Sequence, residues 1–232
     1  MYQDEAFFIF KDKNSKNHNV FLAEFPETIL PSRRVEKIQI DGRNGTLHES
    51  DGCYDSYSWS LICYGNFTAS EIASWLFGTG YLTLSNNLNR RYKVTVNNSI
   101  DLETIAVNFE KFTLPLEVEP YVEDIEETIV NLGSSNQIEV PSTIDTPFIL
   151  EFETISEETT ISINNKEIKI ENCNNLVIDT DLKIAYENNY VNAMSKITGN
   201  LEELILRPGT NIINLSGSYT NAKLKYRRRD LC

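Results

Sequence analysis

The stretch "DGRNG", residues 41–45, places an acid, a base and two glycines within five positions, behind an arginine pair at Arg33 and Arg34. Three kinds of chemistry use such a run. A glycine-rich backbone can cradle a phosphate, an acidic loop can hold calcium, or the chain can reverse between two strands. A phosphate cradle draws its field from a helix N-terminus, but here the alternating run "RRVEKIQI" leads in and more β-type sequence follows. A calcium loop needs oxygen ligands at alternating positions, whereas Asp41 is followed by Gly42 and Arg43. The turn therefore reads as a strand reversal in which Gly42 and Gly45 supply the bend.

The other reactive residue types are no more suggestive. His18 and His48 stand outside any metal-ligand spacing, and each reads as an ordinary solvated histidine. No G-x-S-x-G elbow or Walker loop is present. Four cysteines, Cys53, Cys63, Cys173 and Cys232, lie far apart without a C-x-x-C pair and read as free thiols. Among 34 acidic residues some pair will always have the spacing of a glycosidase, so such a pair carries no information. The sequence offers no catalytic residue, no metal-ligand set and no cofactor motif, and predicts that the protein is not an enzyme.

The bulk properties narrow the class further. A chain of 232 residues with 41% hydrophobic content has room for two cores. The net charge of −13 argues against a sequence-specific nucleic-acid binder, which would present a basic surface to phosphates. No apolar run approaches the roughly 20 residues needed to cross a bilayer, so membrane insertion is not expected. The opening "MYQDEAFFIFKDK" lacks the pattern of a signal peptide, and the chain is expected to be made in a cytosol.

The elements that must position these residues are mostly strands. In "YSWSLICY" (57–64), Tyr57, Trp59, Leu61 and Cys63 fall on one face, the period of a half-buried strand. "YKVTV" (92–96) repeats the pattern with Tyr92, Val94 and Val96 inward. "TIAVNFEKF" (104–112) reads as one strand with Ile105, Val107 and Phe109 on a common face. One helix stands out in "TASEIASWLFG" (68–78), with Thr68 and Glu71 as a capping box, an apolar face of Ile72, Trp75 and Leu76, and Gly78 as its stop. From Glu117 to Thr160 there are twelve acidic residues and no lysine or arginine. Within that stretch "GSSNQIEVPSTIDTP" (133–147) reads as turns, which divides the chain into 1–132 and 133–232. The second part holds short strands at 147–153, 159–163, 167–170, 176–179, 183–186, 211–215 and 222–226, with a tight turn at Asn164–Asn165. That spacing describes a β-sandwich or jelly roll. The basic end "KLKYRRRD" (223–230) reads as a strand with a charged edge followed by a tail.

The order of these segments resembles the phage distal tail protein (Dit) family. "FFIF" leads to "PSRRVEKIQIDGRNGTL", then a tyrosine-rich strand, "EIASWLFGTGYLTLS", "RRYKVTV" and "NFEKFTLP". Near the end, "NLVIDTDLKIAYENN" and the "RPGTN" turn precede a basic last strand. The resemblance spans nearly the whole chain. It implies a mainly β protein: an N-terminal β-sandwich or split barrel with one short helix at 1–132, which forms the ring, and a galectin-like C-terminal β-sandwich at 133–232.

The resemblance also implies a function. The protein would be a structural virion component, the homohexameric hub at the distal end of a siphophage tail, assembled in the bacterial host cytoplasm. Its partners would be the tail tube protein, the tail-associated (tail fibre or lysin-like) protein and, in some phages, receptor-binding proteins. Arg33, Arg34, Asp41, Gly42, Arg43 and Gly45 match the family's opening motif and would shape a subunit interface; separately, the arginines of the first part, Arg90 and Arg91 included, and the acids that follow it give the charge asymmetry a ring contact needs. The alternative is a carbohydrate-binding module for host wall polysaccharide, with Tyr186, Tyr190, Tyr219 and Tyr226 as stacking faces. Residues 116–232 contain no histidine and no tryptophan, which weighs against a sugar site of the galectin kind.

Overall fold

A computed structural model describes residues 6–106 and 109–232. The chain forms two compact units by contact: one runs to Glu123 and takes back Leu231–Cys232, and the other is Asp124–Asp230. The second unit is thus an insertion ahead of the last residues. The contact break falls at 123/124, while the sequence division was drawn at 132/133.

In the first unit a nine-stranded sheet carries the core. Its strands include β1 (Phe8–Phe10), β2 (Lys13–Asn14) and β3 (Val20–Leu22). A separate two-stranded sheet follows, β4 (Glu36–Ile38) with β5 (Leu47–Glu49). Then come β6 (Tyr57–Gly65), the helix α1 (Ala69–Leu76), β7 (Gly78–Leu84), β8 (Arg90–Val96), β9 (Leu102–Ala106) and β10 (Phe109–Asp124). The main sheet runs β2-β1-β7-β8-β10-β6-β3, with β9 also on β10.

The period of two does what the sequence promised. Trp59, Leu61 and Cys63 of β6, Val94 and Val96 of β8, and Phe112, Leu114, Leu116 and Val118 of β10 are buried together. Burial in this apolar cluster pushes the Cys63 thiol well above its ordinary range. The helix covers the cluster with Ile72, Trp75 and Leu76. Its capping box is complete, with the Thr68 hydroxyl accepting from the Glu71 amide and the Glu71 carboxylate accepting from the Thr68 amide at 2.8 Å. That contact holds the Glu71 carboxyl below the usual carboxylate range. Trp75 donates from its ring nitrogen to the Phe10 carbonyl and lies between Phe8 and His18, with ring centroids 5.5 and 4.6 Å away. His18 is therefore a packing residue rather than a solvated one.

The run "TIAVNFEKF" is corrected by the structure. It is two strands: β9 pairs antiparallel with the start of β10, Leu102 opposite Phe112 and Thr104 opposite Glu110. Ile105 is 52% exposed. Val107 lies outside the described residues, as does the side chain of Phe109.

In the second unit, β11 (Thr128–Asn131), β12 (Ser135–Val140) and the long β13 (Phe148–Ile163) come first. After them come β14 (Lys166–Ile170), β15 (Cys173–Asp179), β16 (Ile184–Glu187), β17 (Val191–Asn192) and β18 (Ile197–Gly199). The set closes with β19 (Gly209–Thr220) and β20 (Lys223–Tyr226), and the final strand β21 (Arg229–Leu231) pairs with β10. Two corrections belong here. The turn-rich segment 133–147 contains β12, paired residue by residue with β19. The two strands expected at 147–153 and 159–163 are one strand, β13.

β13 organises this unit. Its first half pairs with β15 and β20, its second half with β14 and β19, and its pairing slips between Ile155 and Thr159. The inward positions change from Phe148, Leu150 and Phe152 to Ile155, just ahead of the slip, and Ile161 and Ile163 beyond it, and all six join a single apolar core. One strand thus lines the core of this unit along its whole length, within a single ten-stranded sheet. Gly217 sits opposite Thr159 at the slip, where a Cβ would fall 2.5 Å from the Glu158 carbonyl.

The β13–β14 turn is as expected, with Asn164 and Asn165 at φ 49° and 67°, the left-handed pair of a tight hairpin. The "RPGTN" turn is tied to it. Asn211, fully buried, donates to the carbonyls of Arg207 (2.8 Å) and Gly209 (3.0 Å) and accepts from the Arg207 amide and the Asn164 side chain. Truncation leaves those groups unpaired inside the protein. Asn211→Ala should lower the stability of this unit by about 2–3 kcal/mol in urea unfolding, whereas a change within about 0.5 kcal/mol would contradict this account of the turn.

Candidate functional site

Between β3 and β6 the chain makes an excursion that its own unit does not bury. From Ala23 to Ser56 only Pro31 is buried. Leu30 is 74% exposed, and Phe25, Ile29, Val35 and Ile40 are exposed as well. The root is anchored: the Ala23 amide donates to the Ile62 carbonyl and the Trp59 ring nitrogen to the Glu27 carbonyl. Apart from the root, where Ser56 also donates to Glu117, the segment pairs only with itself among the described residues. Asp55 N–H bonds to Ser32, Arg33 bridges Tyr54, and Arg34 N–H bonds to Cys53. The ladder resumes as Glu36–Glu49, Lys37–His48 and Ile38–Leu47. The result is one long hairpin, an arm whose tip is the 41–45 turn.

The turn is a strand reversal, as the sequence indicated. The Arg43 amide donates to the Ile40 carbonyl at 3.1 Å, and Gly42 and Gly45 take φ values of 77° and 87°. A Cβ at either glycine would meet nothing within 4 Å, so backbone conformation and not crowding selects glycine there.

The five arginines singled out in the sequence differ in what holds them. Arg33 lies over the Tyr54 ring, 5.8 Å from its centroid. Arg34 contacts Asp55 at 3.2 Å and Asp51 at 3.6 Å, and its hydrogen bond to Asp55 together with these charges raises its pKa further. Both stabilise the arm itself. Asp41 and Arg43 at the tip have no side-chain partner among the described residues, and both are exposed. Arg90 and Arg91 are turned to internal use. Arg90 donates to the Val122 carbonyl, while Arg91 holds the buried Glu123 carboxylate at 2.6 Å and stacks on Tyr81 at 3.7 Å. Five arginines in a row of motifs look alike in sequence; only tertiary contacts separate those that hold the fold from the one left over.

The basic end is also spent within the chain. Arg227 pairs with Glu127, Arg228 with Asp230, and Arg229 with Asp181. The segment continues as β21 where a tail was expected. Of the four tyrosines considered for sugar stacking, Tyr226 is buried and Tyr219 packs against the core. Tyr186 and Tyr190 do meet on the surface, with centroids 5.2 Å apart and Tyr190 83% exposed. Polar groups of β13 are engaged by β20 and the turn before it, Glu151 by Lys225 and Glu153 by Asn221. No helix among the described residues is long and apolar enough to cross a membrane, and no group of three or more metal-ligating side chains occurs among them.

What these features define is a mainly β, two-unit protein with a self-paired arm and no assembled catalytic or metal site among the described residues. No family model matches the chain, and no curated protein matches it in sequence. Among solved structures it is similar to the SPP1 Dit (gp 19.1) protein, described as a paradigm of hub adsorption apparatus in Gram-positive infecting phages. The TM-score is 0.76 at 13% sequence identity, covering 97% of this chain and 98% of that one. The Dit-like fold read from the order of the sequence motifs is the fold observed.

Arg91 and Arg43 should respond differently to mutation. Arg91→Ala breaks the ion pair to the Glu123 carboxylate, whose side chain is 3% exposed, and should cost about 3 kcal/mol. Arg43→Ala should stay within about 0.5 kcal/mol. Thermal unfolding of the two variants checks the contrast, and equal losses would contradict it.

Proposed function

We propose that this protein is an architectural component of a phage tail, the distal hub on which the adsorption apparatus is built, and that it works as a homohexameric ring. The observation that carries this reading is the Ala23–Ser56 arm, set on a fold shared with a protein described as a hub. A 34-residue excursion that leaves its apolar side chains in water gains little from its own chain. A ring supplies what is missing, because each subunit covers its neighbour and the closed circle leaves no unpaired copy. The residues 1–132 would form the ring, and Arg33, Arg34, Asp41, Gly42, Arg43 and Gly45 would shape the contact. Arg33 and Arg34 act from within the arm, and Arg43 is the member with charge to spare. The second unit would stand as the galectin-like domain of that family.

In this role the chain joins the tail tube protein to a tail-associated protein and, in some phages, to receptor-binding proteins, at the virion tail tip. Its work is contact and not catalysis. Native mass spectrometry and negative-stain imaging of the full chain test the reading. A closed ring of six is expected, and Arg43→Glu should shift the population toward monomer while circular dichroism stays unchanged. A strict monomer at every concentration would overturn it.

A further inference from the structure

A ring needs a heterologous contact, in which two different surfaces of one subunit meet. The arm is one such surface, and β9 offers the other. Among the described residues β9 pairs with β10 alone, and no other backbone hydrogen bond leads from it. The side chains of Leu102, Glu103, Thr104 and Ile105 are all exposed, so neither face of this strand is covered. Ile105 is a bulged position, because Ala106 faces Phe109 and Thr104 faces Glu110, which leaves Leu102–Thr104 as the regular stretch. In the arm, β4 is likewise three residues long and pairs with β5 alone. Each strand presents an unpaired edge of the same length, a template for another chain.

Charge distinguishes this pairing from a self-match. Residues 97–106 carry Asp101 and Glu103 and no base. Residues 33–45 carry Arg33, Arg34, Lys37 and Arg43 against Glu36 and Asp41. Two β9 edges brought together would set acid against acid. A β9 edge against β4 sets Glu103 opposite Lys37, the central residue of each stretch. Apolar neighbours add to it, since Val35 and Ile40 flank the lysine and Leu102 and Ile105 flank the glutamate, all exposed.

We infer that β4 of one protomer adds to the β9 edge of the next, with Lys37 beside Glu103. The inference rests on the ring reading and specifies its contact. Backbone hydrogen bonds supply attachment, and the charge pair selects register and excludes β9–β9 pairing. Opposed central residues on paired strands have Cβ atoms about 4.5–5.5 Å apart, close enough for a disulfide after slight adjustment.

The test uses the full chain carrying K37C and E103C in a C53S background, which removes the exposed native thiol. Mild oxidation should give a covalent ladder that ends at the closed ring, and each single-cysteine variant should give no ladder. A second, non-covalent arm pairs K37E with E103K: each alone should weaken assembly about tenfold or more, and the double reversal should restore it. Rings seen by native mass spectrometry without a ladder and without rescue would overturn this contact while leaving the ring reading intact. A cross-link to a different tail protein in place of a second copy would do the same. A chain that stays monomeric at all concentrations would remove both.

Discussion

A strand that is paired on one side only leaves half of its backbone hydrogen-bonding groups without a protein partner, and this molecule carries such edges in an exposed place. The arm between β3 and β6 is a two-stranded ribbon with water on both faces. An isolated hairpin of this kind is marginal in water, because ordering its backbone costs about 1–2 kcal/mol per residue and little apolar area is buried in return. The arm nevertheless has defined geometry: a bridge at Arg33 and Tyr54, ion pairs from Arg34, and a glycine turn at its tip. A segment of such defined geometry and so little burial is what the proposed ring contact calls for.

The first unit provides the base for that arm. The first unit closes its core with alternating strands and one capped helix, and Trp75 bonds the helix to β1 through the Phe10 carbonyl. Arg91 and Glu123 fasten β8 to β10 where the strand leaves the core. The second unit is self-sufficient for a different reason. A single long strand changes its inward face partway along, so both of its halves pack into one core. The buried Asn211 then fixes the turn that leads into β19. At 13% identity to the SPP1 Dit structure, few of these particular side chains can be common to the two proteins. What the shared fold requires is the alternation and the order of strands, which many sequences satisfy.

Much of this was legible in the sequence because the signals are local. The Thr68–Glu71 capping box, the inward set of β6 and β8, and the Asn164–Asn165 turn each depend on residues a few positions apart. The misreadings have a common physical source. β12 is rich in Ser, Asn and Gln and sits between turn formers, and only its pairing with β19 makes it a strand. The middle of β13 carries the exposed polar run Ser156–Glu158, so a continuous strand looks like two. The run from Thr104 to Phe112 keeps its alternation across a reversal, and periodicity alone does not reveal it. For the candidate site, sequence found the turn and its residues but could not rank the arginines. Arg34, Arg91 and Arg43 differ only in which acids lie near them in space, and that is decided by the fold.

Hydrogen exchange across residues 23–56, followed in both the assembled and the monomeric fraction of one preparation, measures the central claim most directly. Exchange reports local opening peptide by peptide. The account predicts fast exchange beyond the Ala23 and Trp59 anchors in the monomer, and strong protection of the arm in the ring. Equal exchange of the arm in both fractions, with protection gained elsewhere in the chain, would contradict it.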